Sequence, residues 1–200
     1  MPAARALLIW AALGAATIGP LAVAANSPFL EWRAPVYILA GFAGVAAMAL
    51  ILVQPLLAGG YLPGLPRPLG RRVHRWTGGL LIACVLLHVA GLWLTSPPDV
   101  IDALLFTSPT PFSAWGVIAM WALFAAGMLA LLRRPLHLRP RLWRLGHSVL
   151  VVVVALGSVV HALLIEGTMG MVSKTLLCIL VLAALAKVLH DLRAWTLFRR

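Results

Sequence analysis

Four histidines stand out in this chain for where they lie and how they are spaced. His74 and His88 bound the stretch HRWTGGLLIACVLLH, and His147 and His161 bound HSVLVVVVALGSVVH. Each pair is fourteen residues apart. On an α-helix that is about 21 Å of rise and about 40° short of four full turns, so both members project from nearly one face at two depths. A neutral imidazole is the commonest metal ligand, and the core of a helical bundle is where such sites are built. No depth offers enough Cys, Asp or Glu beside these residues for a bare zinc site. Gly78, Gly79, Gly91, Gly157 and Ser158 lie near the histidines. Such small residues leave room for a flat macrocycle, and equally for close contact between helices.

The elements that must position these side chains are membrane spans. The chain has 200 residues, of which 62% are hydrophobic and only 10% charged. That is too little charge to cover the surface of a soluble domain this size, so the expected solvent is lipid. Continuous apolar runs predict six helices, at about 5–25, 35–58, 74–95, 114–132, 146–165 and 171–190. The runs do not alternate, which argues against a transmembrane barrel. The expected fold class is therefore all-α, an integral membrane six-helix bundle. The end of the first run, LAVAANS, has small residues spaced like a signal-peptidase site. Its length favours a retained helix. Cys84 and Cys178 lie within apolar runs, form no CxxC or CxxCH motif, and read as small core residues.

A net charge of +11 would suggest nucleic acid in a soluble protein; here the arginines fall between spans and read as topology signals, not as a nucleic-acid surface. Fourteen of the sixteen basic residues, including Arg5, Arg193, Arg199 and Arg200, fall on the side of the termini. Arg33 and Lys174 fall on the other side, with Glu31, Asp99, Asp102 and Glu166. This asymmetry predicts that both termini are cytoplasmic. Tryptophans occupy anchor positions at both interfaces: Trp76 and Trp143 inside, Trp32, Trp93 and Trp115 outside, with Trp121 left as a packing residue. His137 and His190 have no matching partner and read as residues of the cytoplasmic face.

The third and fifth spans run in the same direction. His74 is then level with His147 toward the cytoplasm, and His88 with His161 toward the outside. The segments LPGLPRPLGRRVHRWTGGLLIACVLLH, TPFSAWGVIAMWALFAAGMLALLRR and RPRLWRLGHSVLVVVVALGSVVH resemble the ferric reductase-like transmembrane domain. That superfamily includes iron reductases, NADPH oxidases and the haem subunit of a periplasmic methionine sulfoxide reductase. The likeness spans about residues 35 to 190.

The resemblance implies two molecules of haem b per chain, the inner on His74 and His147 and the outer on His88 and His161. Arg71, Arg72, Arg75 and Arg144 fall where haem propionates would need cations, although topology alone also explains them. With both axial positions filled by histidine, such a haem passes electrons without binding substrate. The implied activity is transmembrane electron transfer toward an extracytoplasmic acceptor such as ferric iron, as the membrane component of an oxidoreductase in a bacterial inner membrane. No GxGxxG-type segment follows the sixth span, so the donor is expected to be a separate flavoprotein or a quinol. An anchor subunit passing quinol electrons to a periplasmic oxidoreductase is one alternative. A haem-free proton channel is another, but Thr77, Ser148 and Ser158 are nearly the whole polar content of the two histidine-bearing spans. Residues 1–34 are read as the first span and its outer loop, 35–190 as the haem-binding domain, and 191–200 as a basic tail. The loop SPPDVIDALLFTSPTPFS, with Asp99 and Asp102, is read as packing over the bundle more readily than as a docking loop. Glu166 lies close enough in sequence to influence an outer haem.

Overall fold

The computed structural model describes residues 3–192. Arg193, Arg199, Arg200 and most of the expected basic tail lie outside the described residues. Those residues form seven α-helices with no strand: α1 (Ala3–Ala25), α2 (Pro35–Gly59), α3 (Arg67–Thr95), α4 (Pro97–Leu104), α5 (Pro111–Leu132), α6 (Pro140–Leu164) and α7 (Met171–Asp191). A short 3₁₀ turn, Pro28–Leu30, precedes α2. All but α4 are long and apolar enough to cross a bilayer. The chain is a multi-pass integral membrane protein. Leucines on the outer faces, such as Leu7, Leu39, Leu87 and Leu131, are exposed, as lipid contact requires.

Proline sets most of the helix starts. It occupies one of the first two positions of α2, α3, α4, α5 and α6, where a missing N–H costs nothing. Helices α3 and α6 begin about two turns earlier than hydropathy predicts, because their arginine-rich first turns are helical too. At 29 residues α3 is about 43 Å long, well beyond the roughly 30 Å of hydrocarbon, so those turns extend into the headgroups. Helix α2 ends at Gly60, whose φ of 69° is the left-handed conformation that glycine adopts freely.

Two hairpins, α2–α3 and α5–α6, make the most extensive helix–helix contacts, and α7 packs against both. The hairpins are built alike. His74 is the eighth residue of α3 and His147 the eighth of α6, while His88 and His161 are each the twenty-second. Burial of apolar surface does not drive helices together in lipid, so close packing of small residues must do so. Gly91 of α3 lies against Ala40 of α2, and Gly157 of α6 against Ala119 and the Trp115 carbonyl of α5. These two glycines therefore serve helix contact and do not clear space for a macrocycle. The core also takes Met48, Ile51, Leu81, Leu123, Leu177 and Val181.

Contacts at the helix ends sort the bundle into two faces. Trp10 Nε1 donates to the Pro63 carbonyl (3.3 Å) and Tyr61 Oη to Asp191 Oδ2 (2.7 Å). The start of α1, the α2–α3 turn and the end of α7 therefore share one face. Gly170 meets Val23 at the other. The outer loop is partly ordered as α4, where Asp99 accepts from Ser96 Oγ and the Asp102 carbonyl accepts from Thr107. Both acids serve local turns. An amphipathic helix of eight residues is too short for a hydropathy window to find.

Candidate functional site

The four predicted histidines lie on α3 and α6, one helix of each hairpin, at two matched levels. His88 and His161 come together: their ring centroids are 6.4 Å apart and their planes nearly perpendicular, at 84°. A nitrogen–metal bond is about 2.0 Å and a ring centre lies roughly 1 Å beyond its nitrogen, so one metal between two imidazoles sets centroids about 6 Å apart. His74 and His147 lie within electrostatic reach of each other at the arginine-rich end. Among the described residues, no group of three or more His, Cys, Asp or Glu side chains is placed to hold a metal.

Each outer-level ring is held by the other helix of its own hairpin. His88 Nδ1 lies 2.7 Å from the Ala40 carbonyl and His161 Nδ1 lies 2.8 Å from the Phe112 carbonyl. A carbonyl can only accept, so the proton resides on Nδ1 and Nε2 keeps its lone pair. One helical turn beyond each carbonyl stands a glycine. A Cβ on Gly44 would come within 3.0 Å of His88 Nδ1, and one on Gly116 within 2.6 Å of His161 Nδ1. The absence of those side chains is what lets the imidazoles reach the backbone. Phe112 also packs edge-on against His161, with centroids 5.8 Å apart.

The inner level is built differently. His74 Nδ1 lies 3.2 Å from the Gln54 carbonyl, and one side-chain amide atom of Gln54 lies 2.6 Å from the same nitrogen. The other amide atom lies 3.0 Å from Thr77 Oγ1 and 2.9 Å from the Gly78 N–H. With the amide oxygen toward His74, Nδ1 keeps its proton and Nε2 is free, in accord with the carbonyl. With the amide reversed, Thr77 and Gly78 are better served, but Nδ1 must be bare and Nε2 protonated. Gln54 orientation and His74 tautomer are thus coupled.

His147 stacks on Trp143, with centroids 5.5 Å apart and planes 12° from parallel, and the Arg133 guanidinium lies 4.2 Å from the Trp143 ring centre. Trp143 Nε1 and His147 Nδ1 are buried with no hydrogen-bond partner of good geometry among the described residues. Trp143 is therefore a site neighbour and not the interfacial anchor expected of it. Trp76 and Trp32 are exposed, at 77% and 95%, and Trp121 faces outward too.

Arg71, Arg72, Arg75 and Arg144 are all exposed on the first turns of α3 and α6, at the level of His74 and His147. Arg144 Nε donates to the Pro140 carbonyl of its own helix (3.3 Å). Glu166 is exposed in the α6–α7 loop, His137 is exposed in the α5–α6 turn, and His190 is exposed in the last turn of α7. Cys178 is buried and Cys84 partly so, both as free thiols. Sequence reasoning missed Ala40, Gly44, Gln54, Phe112 and Gly116. Of these only Gln54 left a signal, as the single amide side chain in an apolar span.

The profile of the ferric reductase-like transmembrane component family matches residues 40–158. The chain belongs to that family. The match begins at the carbonyl that holds His88, takes in His74, His88 and His147, and stops three residues before His161. No curated protein and no solved structure gives a significant match. Family membership, six membrane-crossing helices and paired imidazoles between two hairpins point to electron transfer across a membrane.

Proposed function

We propose that this ferric reductase-like protein carries electrons across a bacterial inner membrane through two molecules of haem b, one at each histidine level. The donor set supports the group: two imidazole pairs at two depths, without the thiolates or carboxylates that a bare metal would need. The observation that carries the reading is the His88–His161 approach at 6.4 Å, with both Nδ1 atoms turned away into α2 and α5. Haem b supplies reversible one-electron chemistry when bound.

The chain's residues then do four things. His88 and His161 would present Nε2, fixed in tautomer by the Ala40 and Phe112 carbonyls. His74 would do so with the Gln54 amide oxygen toward its Nδ1, and His147, whose Nδ1 has no hydrogen-bond partner of good geometry among the described residues, would be held by stacking on Trp143. A histidine pair that held a haem iron would leave no position for oxygen or substrate, which would restrict the site to outer-sphere transfer. The apolar faces of α2, α5 and α7 keep water out between the two levels. Arg71, Arg72, Arg75 and Arg144 supply cations for propionates at the inner surface. Both termini on the cytoplasmic side fit the basic residues gathered at that face, including Arg5, Arg67 and Arg134. Electrons then run from a cytoplasmic flavoprotein or membrane quinol to an extracytoplasmic acceptor such as ferric iron.

The experiment is a dithionite-reduced minus oxidised visible spectrum of the detergent-purified protein, with haem per chain measured as the pyridine complex. Low-spin b-type bands with about two haems per chain are expected. One haem per chain favours an anchor subunit with a single working level. A folded, colourless protein from haem-replete cells overturns electron transfer and favours proton relay.

A further inference from the structure

Lys174 is buried to 3% exposure, and it is the one charged residue in the core of the described chain. It lies in the first turn of α7, where the helix dipole already presents partial positive charge and disfavours a cation. Its Nζ donates to the Ile165 carbonyl at 2.6 Å and approaches the Leu163 carbonyl at 3.5 Å. These are the open carbonyls at the end of α6, four and two residues beyond His161. The ion pairs of the described residues join Asp191 to Lys187 and His190 at the opposite face, and no carboxylate oxygen among those residues lies within 4.0 Å of Lys174 Nζ. Glu166, next to Ile165 in the chain, is exposed, so solvent screens its charge. A hydrogen-bond donor suffices to close the end of a helix, and the α6 dipole adds only a small gain for a cation there. A neutral donor would serve, without the desolvation cost of an unpaired ammonium in the bilayer.

We propose that Lys174 is a positioning residue that tunes the outer level: its buried charge favours the reduced state of the haem held by His88 and His161 and makes it the downhill end of the electron path. The inference rests on the haem reading above. A positive charge in a low-dielectric interior stabilises an added electron nearby far more than a solvated one does. The two levels differ in this respect. The inner one has a neutral amide, Gln54, at His74, and its arginines stand in solvent, where screening weakens them. The outer one has a desolvated ammonium fixed to the same helix as His161. The resulting field draws electrons away from the basic face of the protein.

The test is a potentiometric titration of the purified holoprotein followed by visible and electron paramagnetic resonance spectra, with haem content and thermal stability measured alongside. Lys174→Gln keeps a donor for the carbonyls and removes the charge, Lys174→Met removes both, and Lys174→Arg keeps both. At a fixed ambient potential near the midpoint, the reduced-to-oxidised ratio of one haem is expected to fall on the order of tenfold in the Gln and Met variants. The other haem stays unchanged, and the Arg variant follows wild type. Wild-type potentials in either uncharged variant, with two haems bound, overturn the proposal and leave Lys174 as a helix cap. So does loss of stability in Lys174→Met that Lys174→Gln restores without any change in potential. Wild-type protein without haem sinks the parent reading instead, so the two failures are distinct.

Discussion

The imidazole of His161 occupies the space that a side chain on Gly116 would need: a Cβ there would stand 2.6 Å from Nδ1 and 2.8 Å from Cε1. The same relation joins His88 to Gly44, less tightly, at 3.0 and 3.1 Å. In each case a glycine on one helix of a hairpin opens the backbone carbonyl one turn earlier to a histidine on the other. Gly116→Ala should therefore displace His161 from the Phe112 carbonyl and weaken haem binding at the outer level by roughly 10–100-fold, the usual effect of losing a ligand's supporting hydrogen bond. Gly44→Ala should have a smaller effect of the same kind. Haem retention under a competing apo-acceptor measures both, and equal retention in Gly116→Ala and wild type would remove the argument.

Gln54 should act on the inner level alone. Gln54→Leu removes the amide 2.6 Å from His74 Nδ1 and is expected to lower inner haem affinity roughly 10–100-fold. Gln54→Glu offers only acceptors to Nδ1, so it should keep the ligating tautomer and shift the inner haem to lower potential. Spectra of partially reduced protein separate the two levels. A Gln54→Leu protein with both haems intact at wild-type potentials would show that the Gln54 carbonyl suffices.

Trp143 holds His147 by stacking, so ring shape should matter more than the indole nitrogen. Trp143→Phe should keep the low-spin signal of the inner haem, and Trp143→Ala should broaden or lose it. Aromatic stacking of this kind contributes about 0.5–1.5 kcal/mol beyond buried area. Arg133→Gln removes only the cation over the indole face, worth about 0.5–1 kcal/mol at an exposed site, and should leave the spectrum nearly unchanged. Electron paramagnetic resonance at low temperature reads all three.

The tie between the α2–α3 turn and α7 should be sensitive to alkali. Partial burial of Tyr61, reinforced by the Asp191 carboxylate it donates to, pushes its phenol from the ordinary 10.0 up to about 12. A raised pKa means that the folded state holds this proton more tightly than the unfolded one. The contribution to stability is therefore complete below pH 10 and lost as pH rises from there through about 12. Tyr61→Phe should abolish the late tyrosinate absorbance change and flatten the alkaline fall in thermal stability. An unchanged titration curve in that variant would place the proton elsewhere.

What the sequence made legible follows from which forces leave a periodic trace. Six apolar runs were enough for six spans, because lipid accepts little else over twenty residues. The fourteen-residue spacing was enough to put His74 with His88, and His147 with His161, on single helical faces. The partners of those histidines were hidden, because Ala40 and Phe112 contribute backbone carbonyls, which every residue type possesses. Gly44 and Gly116 looked like the other small residues of membrane helices. The arginines of α3 and α6 read as loop in the sequence because charge hides helical propensity from a hydropathy window. Lys174 reads in the sequence as an outer-side topology charge; only the packed structure shows it inside, on the carbonyls of α6.

The matching positions of the histidines make α3 and α6 a pair of rulers. Each has its zero just before a first turn that holds a proline at one of its first two positions, and bears its functional graduations at eight and twenty-two. Height in the membrane is then set by counting along one helix and owes little to the rest of the fold. One residue inserted between mark zero and mark eight would raise both graduations of that ruler by about 1.5 Å and swing them by about 100°. They would no longer face their counterparts. The same residue inserted ahead of the proline would lengthen a turn and leave both scales aligned.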